Sequence, residues 1–156
     1  DNGGLSNGKS TLWEGGIRVP AFVRWPGMIK AGIITEQAAN TMDWTATILA
    51  VTGGKADPGF PLDGINLMPL CTGKKKFTER TFYWRTFQER KQKAIRMGAW
   101  KYLQDEKGEY LFNLDIDRGE KNDLKADRRD IFDLLKKKYA DWEKTVLQPI
   151  PLQVEK

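Results

Sequence analysis

Apolar positions recur most regularly in the second half of the chain. Four short runs stand close together there: TFYWR at 81–85, KAIRM at 93–97, WKYL at 100–103 and EYLFNL at 109–114. β-Branched and aromatic residues suit a pleated, half-buried surface, so each run predicts a strand. Gly98-Ala99 joins the second to the third, and QDEKG, with a turn-forming Asp and Gly, joins the third to the fourth. Connections this short predict an antiparallel meander. In the last run Tyr110, Phe112 and Leu114 alternate onto one face. Beyond it Ile131, Leu135, Tyr139, Trp142 and Val146 recur at helical spacing, which predicts an amphipathic helix from about Asp127 to Leu147, packed on the sheet and ended by Pro149 and Pro151.

The first half is less periodic. Gly15 to Trp25, containing IRVPAFVRW, reads as extended and ends at the turn WPG, with Pro20 unable to donate to a ladder. From Asp43, read as an N-cap, WTATILAVT places Trp44, Ile48, Leu49 and Val51 toward one side of a short helix that stops at Gly53-Gly54. KADPGFPLDGINLMPLCTGKKK, rich in Gly and Pro and then in Lys, reads as a loop and a seam, which divides the chain into 1–72 and 73–156. The fold class is therefore α+β, a four-stranded antiparallel sheet with one packed helix behind a less regular first half.

Composition narrows the chemistry. The 156 residues can bury a core, and six Trp, seven Phe and four Tyr argue for globular packing. No apolar run approaches the roughly 20 residues of a membrane span, and DNGGLSNGK has no secretory-signal pattern. There is no histidine, which removes the commonest general base and transition-metal ligand, and one cysteine, Cys71, can form neither an internal disulfide nor a metal site. Any metal would be held by oxygen. Residues 1–72 carry 5 of the 26 Lys and Arg and 6 of the 21 Asp and Glu, leaving 21 against 15 in residues 73–156, so the basic excess lies wholly in the second half.

Residues 3–10, GGLSNGKS, spell the phosphate-loop pattern G-x-x-x-x-G-K-S. A phosphate loop needs a strand before it and a helix opening at its Lys-Ser. Only Asp1 and Asn2 precede the pattern, and Gly15, Gly16 and Pro20 interrupt a helix after it, so the nucleotide reading fails on context. What survives is oxyanion recognition: Lys9 is a compact charge suited to a tetrahedral anion, with Ser10 and Thr11 beside it. Asp1 and Asn2, followed by two glycines, offer hard oxygen ligands of the kind calcium or magnesium selects, and the same four residues are equally a turn.

These residues carry a resemblance. DNGG, then GKSTLWEGGIRVPAFVRWPG, NTMDWTATILAVTGG, PLDGINLMPL, AIRMGAWKYL and YLFNLDIDRGEKNDL, in that order, resemble the sulfatase family, the arylsulfatase-like members of the alkaline phosphatase superfamily, toward their C-terminal end. The resemblance covers most of the chain up to about Leu124. It implies that Asp1 and Asn2 match a metal-ligand pair for a divalent ion, usually calcium, at the end of a strand in a large α/β sheet. It further implies that Lys9 matches the lysine that contacts the substrate's sulfate, a catalytic and substrate-binding role, and that residues 1–72 are the end of the catalytic α/β domain. Glu14, Gly15, Gly16 and Arg18 match as structural supports of the loop, and Arg18 can pair with Glu14.

The departures are equally specific. The family's nucleophile is a formylglycine made within C/S-x-P-x-R, whereas Cys71 is followed by Thr72, Gly73 and Lys74. Its histidines and first metal-binding aspartates are absent too. The expectation is a C-terminal sulfatase segment whose N-terminal catalytic part, with formylglycine and any signal peptide, lies upstream. Alone it is expected to be inactive. The substrate implied is a sulfated small molecule or glycan, and the setting is periplasmic or secreted. Two rivals are a phosphate or phosphonate ester hydrolase of the same superfamily and a non-catalytic polyanion-binding module. The latter would use KKK at 74–76, RKQK at 90–93 and KKK at 136–138, runs diluted by Glu79, Glu89, Asp133 and Asp141, and specific nucleic-acid binding is not expected.

Overall fold

In the computed structural model, which describes residues 2–87 and 91–147, the four apolar runs form one antiparallel sheet in sequence order. The strands are β1 (Thr81–Arg85), β2 (Lys93–Met97), β3 (Trp100–Asp105) and β4 (Gly108–Asn113). The expectations for Asp1, Glu89, Arg90, Pro149 and Pro151 lie outside the described residues. β3 runs two residues past its predicted end because the turn into β4 is tight: Asp105 Oδ1 accepts the backbone N–H groups of Lys107 and Gly108. Register pairs Ile95 with Tyr102 and Tyr102 with Leu111, and pairs Ala94 with Leu103 and Leu103 with Tyr110.

Both faces of the sheet are covered. The first carries Ile95, Tyr102 and Leu111 against Phe132, Leu135 and Tyr139, all buried. The last three come from the helix Arg129–Glu143, which is shorter at both ends than the predicted span and is numbered α4 below. Its stripe contains Leu135 and Tyr139 as expected, with Phe132 added and Ile131 and Trp142 half-buried. Val146 lies beyond the helix, whose end is closed by Thr145 donating its backbone N–H to the Trp142 carbonyl. The second face carries Ala94, Leu103, Phe112 and Leu114 against Leu12, with Trp13 and Ile17 packed alongside. Trp13 lies 5.3 Å from the Tyr110 ring and 5.5 Å from the Phe112 ring.

That second cover comes from the start of the chain. By contact, residues 1–20 and 80–156 form one compact unit and residues 21–79 another. Leu12, Trp13 and Ile17 fill the face that α4 leaves open, and this ties the opening segment to the sheet.

The extended reading of residues 15–25 is corrected at its start, over residues 15–17, while Arg18 is extended. Glu14–Ile17 is a single helical turn, α1, and residues 18–25 form no strand. A strand is stable only on a ladder, and the sheet here pairs β1 to β4 alone. In residues 21–79 the predicted helix runs Thr41–Thr52, α2, with Asn40 rather than Asp43 as the N-cap. Asp43 sits at the third position, its Oδ2 accepting the Asn40 backbone N–H and its Oδ1 that of Ile65. The side facing inward is therefore polar: Asp43 and Thr47 are buried, with Thr47 Oγ1 accepting from Leu67 N, while Ile48 and Val51 are exposed. Gly53 closes α2 with φ 75°, as its position predicted. The Gly/Pro-rich seam contains one short turn of helix, Met68–Cys71, α3. No helix among the described residues is long and apolar enough to cross a membrane.

Candidate functional site

The GKS loop is built on two glycines. Gly15 donates its backbone N–H to the Ser6 carbonyl at 2.9 Å, and a Cβ at Gly15 would lie 2.4 Å from both the Ser6 and Asn7 carbonyl oxygens. A Cβ at Gly16 would lie 2.2 Å from the Thr11 carbonyl oxygen and 2.6 Å from that of Gly8. Only glycine lets α1 approach the loop this closely. On the loop's other side Ser6 Oγ donates to the Gly119 carbonyl at 2.7 Å and accepts from Lys121 Nζ at 3.2 Å. Thr11 Oγ1 folds back to donate to the Gly8 carbonyl.

Lys9 stands exposed between these fixed points. Asn7 and Ser10, on either side of it, adopt φ of 55° and 69°. The left-handed region costs a side-chain-bearing residue about 1–2 kcal/mol, so the surrounding contacts hold the loop in this form. Asn2 donates its Nδ2 to the Asn7 carbonyl, which brings the first predicted ligand residue onto the loop that carries Lys9. With its nitrogen committed, the amide oxygen of Asn2 is the atom left for a ligand. The phosphate-loop reading stays rejected, since turns and then the four-residue α1 follow Ser10.

The described residues do not by themselves make up a divalent-cation site. No group of three or more His, Cys, Asp or Glu suited to a metal occurs among them, and Asn2 offers one amide oxygen. Hard cations take six or more oxygens. Asp1, the second predicted ligand, lies outside the described residues.

Beneath the loop lies a buried charge cluster that pattern reading did not reveal. Lys101, with no exposed side-chain surface, donates from Nζ to Glu14 Oε1 at 2.8 Å and to Glu120 Oε1 at 2.7 Å. Glu120 Oε2 accepts the backbone N–H of Glu14 at 2.7 Å, and Glu14 Oε2 accepts from Arg18 at 3.1 Å. Two carboxylates thus face two cations. Arg18 pairs with Glu14 as the sequence allowed, and Glu14, Gly15 and Gly16 support the loop as expected. Burial raises both carboxyl groups, and the outcome differs by neighbour. Against that burial Glu14 has the charges and hydrogen bonds of both Lys101 and Arg18, which hold it below its ordinary value. Glu120 has Lys101 and the Glu14 backbone N–H but also faces the Glu14 charge, and stays above. The ionised form is the costlier one at Glu120, so acid protonates it first.

Lys101 and Glu120 escaped sequence reading for a physical reason. A strand covered on both faces loses its alternation, and β3 is buried at Lys101, Tyr102 and Leu103 in succession. The available signal was that Lys101 shares a face with Leu103. Gln92 escaped likewise: buried, its Oε1 accepts the Leu12 backbone N–H at 2.7 Å and fastens the opening segment.

The basic runs are largely committed or solvated. Lys74, Lys75 and Lys76 are exposed, Lys93 pairs with Glu143, Lys136 with Glu109 and Lys137 with Asp141. The apolar hollow lined by Phe22, Trp25, Ile33 and Ile34 contains none of the predicted site residues.

Comparison with known proteins points one way. The family model described as N-sulphoglucosamine sulphohydrolase, C-terminal, matches residues 7–149. Steryl-sulfatase of Rattus norvegicus is 41% identical over 81 residues, 52% of this chain and 14% of that protein. Arylsulfatase A of Bos taurus is 37% identical over 103 residues, 64% of this chain and 20% of that protein. The crystal structure of Ps i-CgsB in complex with k-i-k-neocarrahexaose superposes with a TM-score of 0.79 at 28% identity, covering 91% of this chain and 32% of that one. The chain therefore spans a fifth or less of these curated relatives and about a third of the solved structure.

Proposed function

The chain belongs to the sulfatases, matching the C-terminal domain of the N-sulphoglucosamine sulphohydrolase family over residues 7–149, and from that premise we propose that it supplies part of the sulfate site of a sulfuric ester hydrolase. The observation that carries the reading is Lys9: an exposed ammonium on a loop held from both sides and left-handed at Asn7 and Ser10. A cation presented on a held loop stabilises the oxygens of a sulfate as the ester S–O bond breaks, because the backbone that carries it is in place before the reaction begins.

Asp1 and Asn2 are proposed to contribute oxygens to a divalent ion, calcium by family habit, completed by residues outside this chain. The formylglycine nucleophile would likewise come from upstream chain. A sulfated small molecule or glycan is the substrate class, supported by the names of the sulfatase relatives and by the oligosaccharide in the Ps i-CgsB title. The setting is periplasmic or secreted, by family resemblance.

The intact gene product should hydrolyse a chromogenic sulfate ester, and Lys9→Ala should lower kcat by about 10²–10³-fold, the scale of losing one preorganised charge-stabilising group. Activity unchanged by that substitution would remove Lys9 from the site. Residues 1–156 alone should show no turnover with the same ester, and turnover lost on Lys9→Ala would contradict the assignment of the nucleophile to other chain.

A further inference from the structure

We propose that Lys101, together with Glu14 and Glu120, is a positioning device for Lys9: a buried charged clamp on the second face of the sheet that fixes where the sulfate-contacting ammonium stands. The proposal rests on the sulfatase reading for the role of Lys9, and on geometry for the coupling.

The path is continuous. Lys101 rises from the second position of β3 and joins a carboxylate of α1 to one of the loop after β4. Glu120 then grips α1 a second time, through the Glu14 backbone N–H. α1 in turn carries Gly15, whose N–H holds Ser6, and Gly16, packed against Gly8 and Thr11 with no room for a Cβ. The other jaw is the same loop after β4: Gly119, next to Glu120, accepts from Ser6 Oγ. Both attachments of the loop bearing Lys9 therefore converge on residues that Lys101 holds. Glu120 itself sits at φ 53°, so its side chain is presented from a left-handed backbone that the clamp stabilises.

A cluster that served folding alone would need only to be neutral and buried. This one also spans three segments far apart in sequence, and the parts it joins are those that flank Lys9. Lys101 touches no substrate atom in this scheme and acts only through the loop.

The test uses two readouts. In the intact gene product, Lys101→Met and the milder, isosteric Glu120→Gln are compared with Lys9→Ala by inhibition with inorganic sulfate. Lys101→Met should weaken sulfate inhibition at least about ten-fold, with a smaller shift of the same sign for Glu120→Gln, since displacement of a site group by about 1 Å costs up to 10²-fold. Combined with Lys9→Ala, Lys101→Met should add little further loss. A purely structural cluster would instead lower the amount of active enzyme and leave the inhibition constant unchanged, and multiplicative effects in the double variant would likewise overturn the proposal.

The second readout is hydrogen exchange at the Thr11 and Gly15 amides. Both variants should lose protection there while the Ile95 and Tyr102 amides keep theirs. Unchanged protection at Thr11 and Gly15 overturns the clamp whatever the enzyme does. Loss of protection in a protein that neither cleaves sulfate esters nor binds sulfate sustains the clamp and refutes the sulfatase reading instead.

Discussion

Lys101 occupies the second position of β3, where its cross-strand partners are Arg96 and Phe112. An ammonium survives there because Glu14 and Glu120 replace its water, and removing it would take the shared cation from two buried carboxylates, leaving Glu14 to Arg18 and Glu120 to the Glu14 backbone N–H. Lys101→Met should therefore destabilise the fold by about 3–5 kcal/mol at neutral pH, read as a lower urea midpoint. Gly15 tests the other half of the support. Its φ lies outside the left-handed region, so Gly15→Ala acts through contact alone, forcing a methyl to 2.4 Å from two carbonyl oxygens. A loss of about 1–3 kcal/mol is expected, measured by the same midpoint. A loss under 0.5 kcal/mol would show that α1 and the loop can separate without cost.

At the scale of elements, the sheet is held by different physics on its two faces. The α4 side is apolar: Leu135 is fully buried among Ile95, Tyr102 and Leu111, and Leu135→Ala should cost about 2–5 kcal/mol. On the outer side of α4 the Lys137–Asp141 pair is exposed, and Lys137→Ala should shift stability by less than about 1 kcal/mol. The α1 side carries the charge cluster and so responds to pH. Glu14, held below 4.5, contributes stability that is present above that value and lost as pH falls through its folded value. Glu120, held above 4.5, makes a contribution that is fully present below it and lost as pH rises through its folded value. A pH series of urea midpoints should accordingly show opposite trends: relative to Glu14→Gln the wild type weakens on acidification below 4.5, and relative to Glu120→Gln it weakens as pH rises above 4.5. Trends of the same sign would mean that the two carboxyl groups are not distinguished by Arg18.

For the molecule as a whole, the uncovered apolar residues are the informative feature. Phe22 is 91% and Ile34 90% exposed, and Val19, Met28 and Phe60 are exposed with them. Apolar surface left to water favours association. The chain studied alone should show a sedimentation coefficient that rises with concentration, and Phe22→Ser with Ile34→Ser should reduce the rise. A concentration-independent monomer would contradict this.

Local pattern was enough for much of the fold. Four runs with turn-forming joints determined the meander, and the helical spacing of Leu135 and Tyr139 determined the packed helix, since each signal is carried by residues near one another in the chain. The tertiary structure alone decided that the opening segment covers the second face of the sheet, that IRVPAFV forms no strand, that α2 turns Asp43 and Thr47 inward, and that Lys101 meets Glu14 and Glu120. Those outcomes depend on contacts between residues as much as 106 positions apart, such as Glu14 with Glu120, and no periodicity within a single segment encodes which distant carboxylate a buried lysine will find.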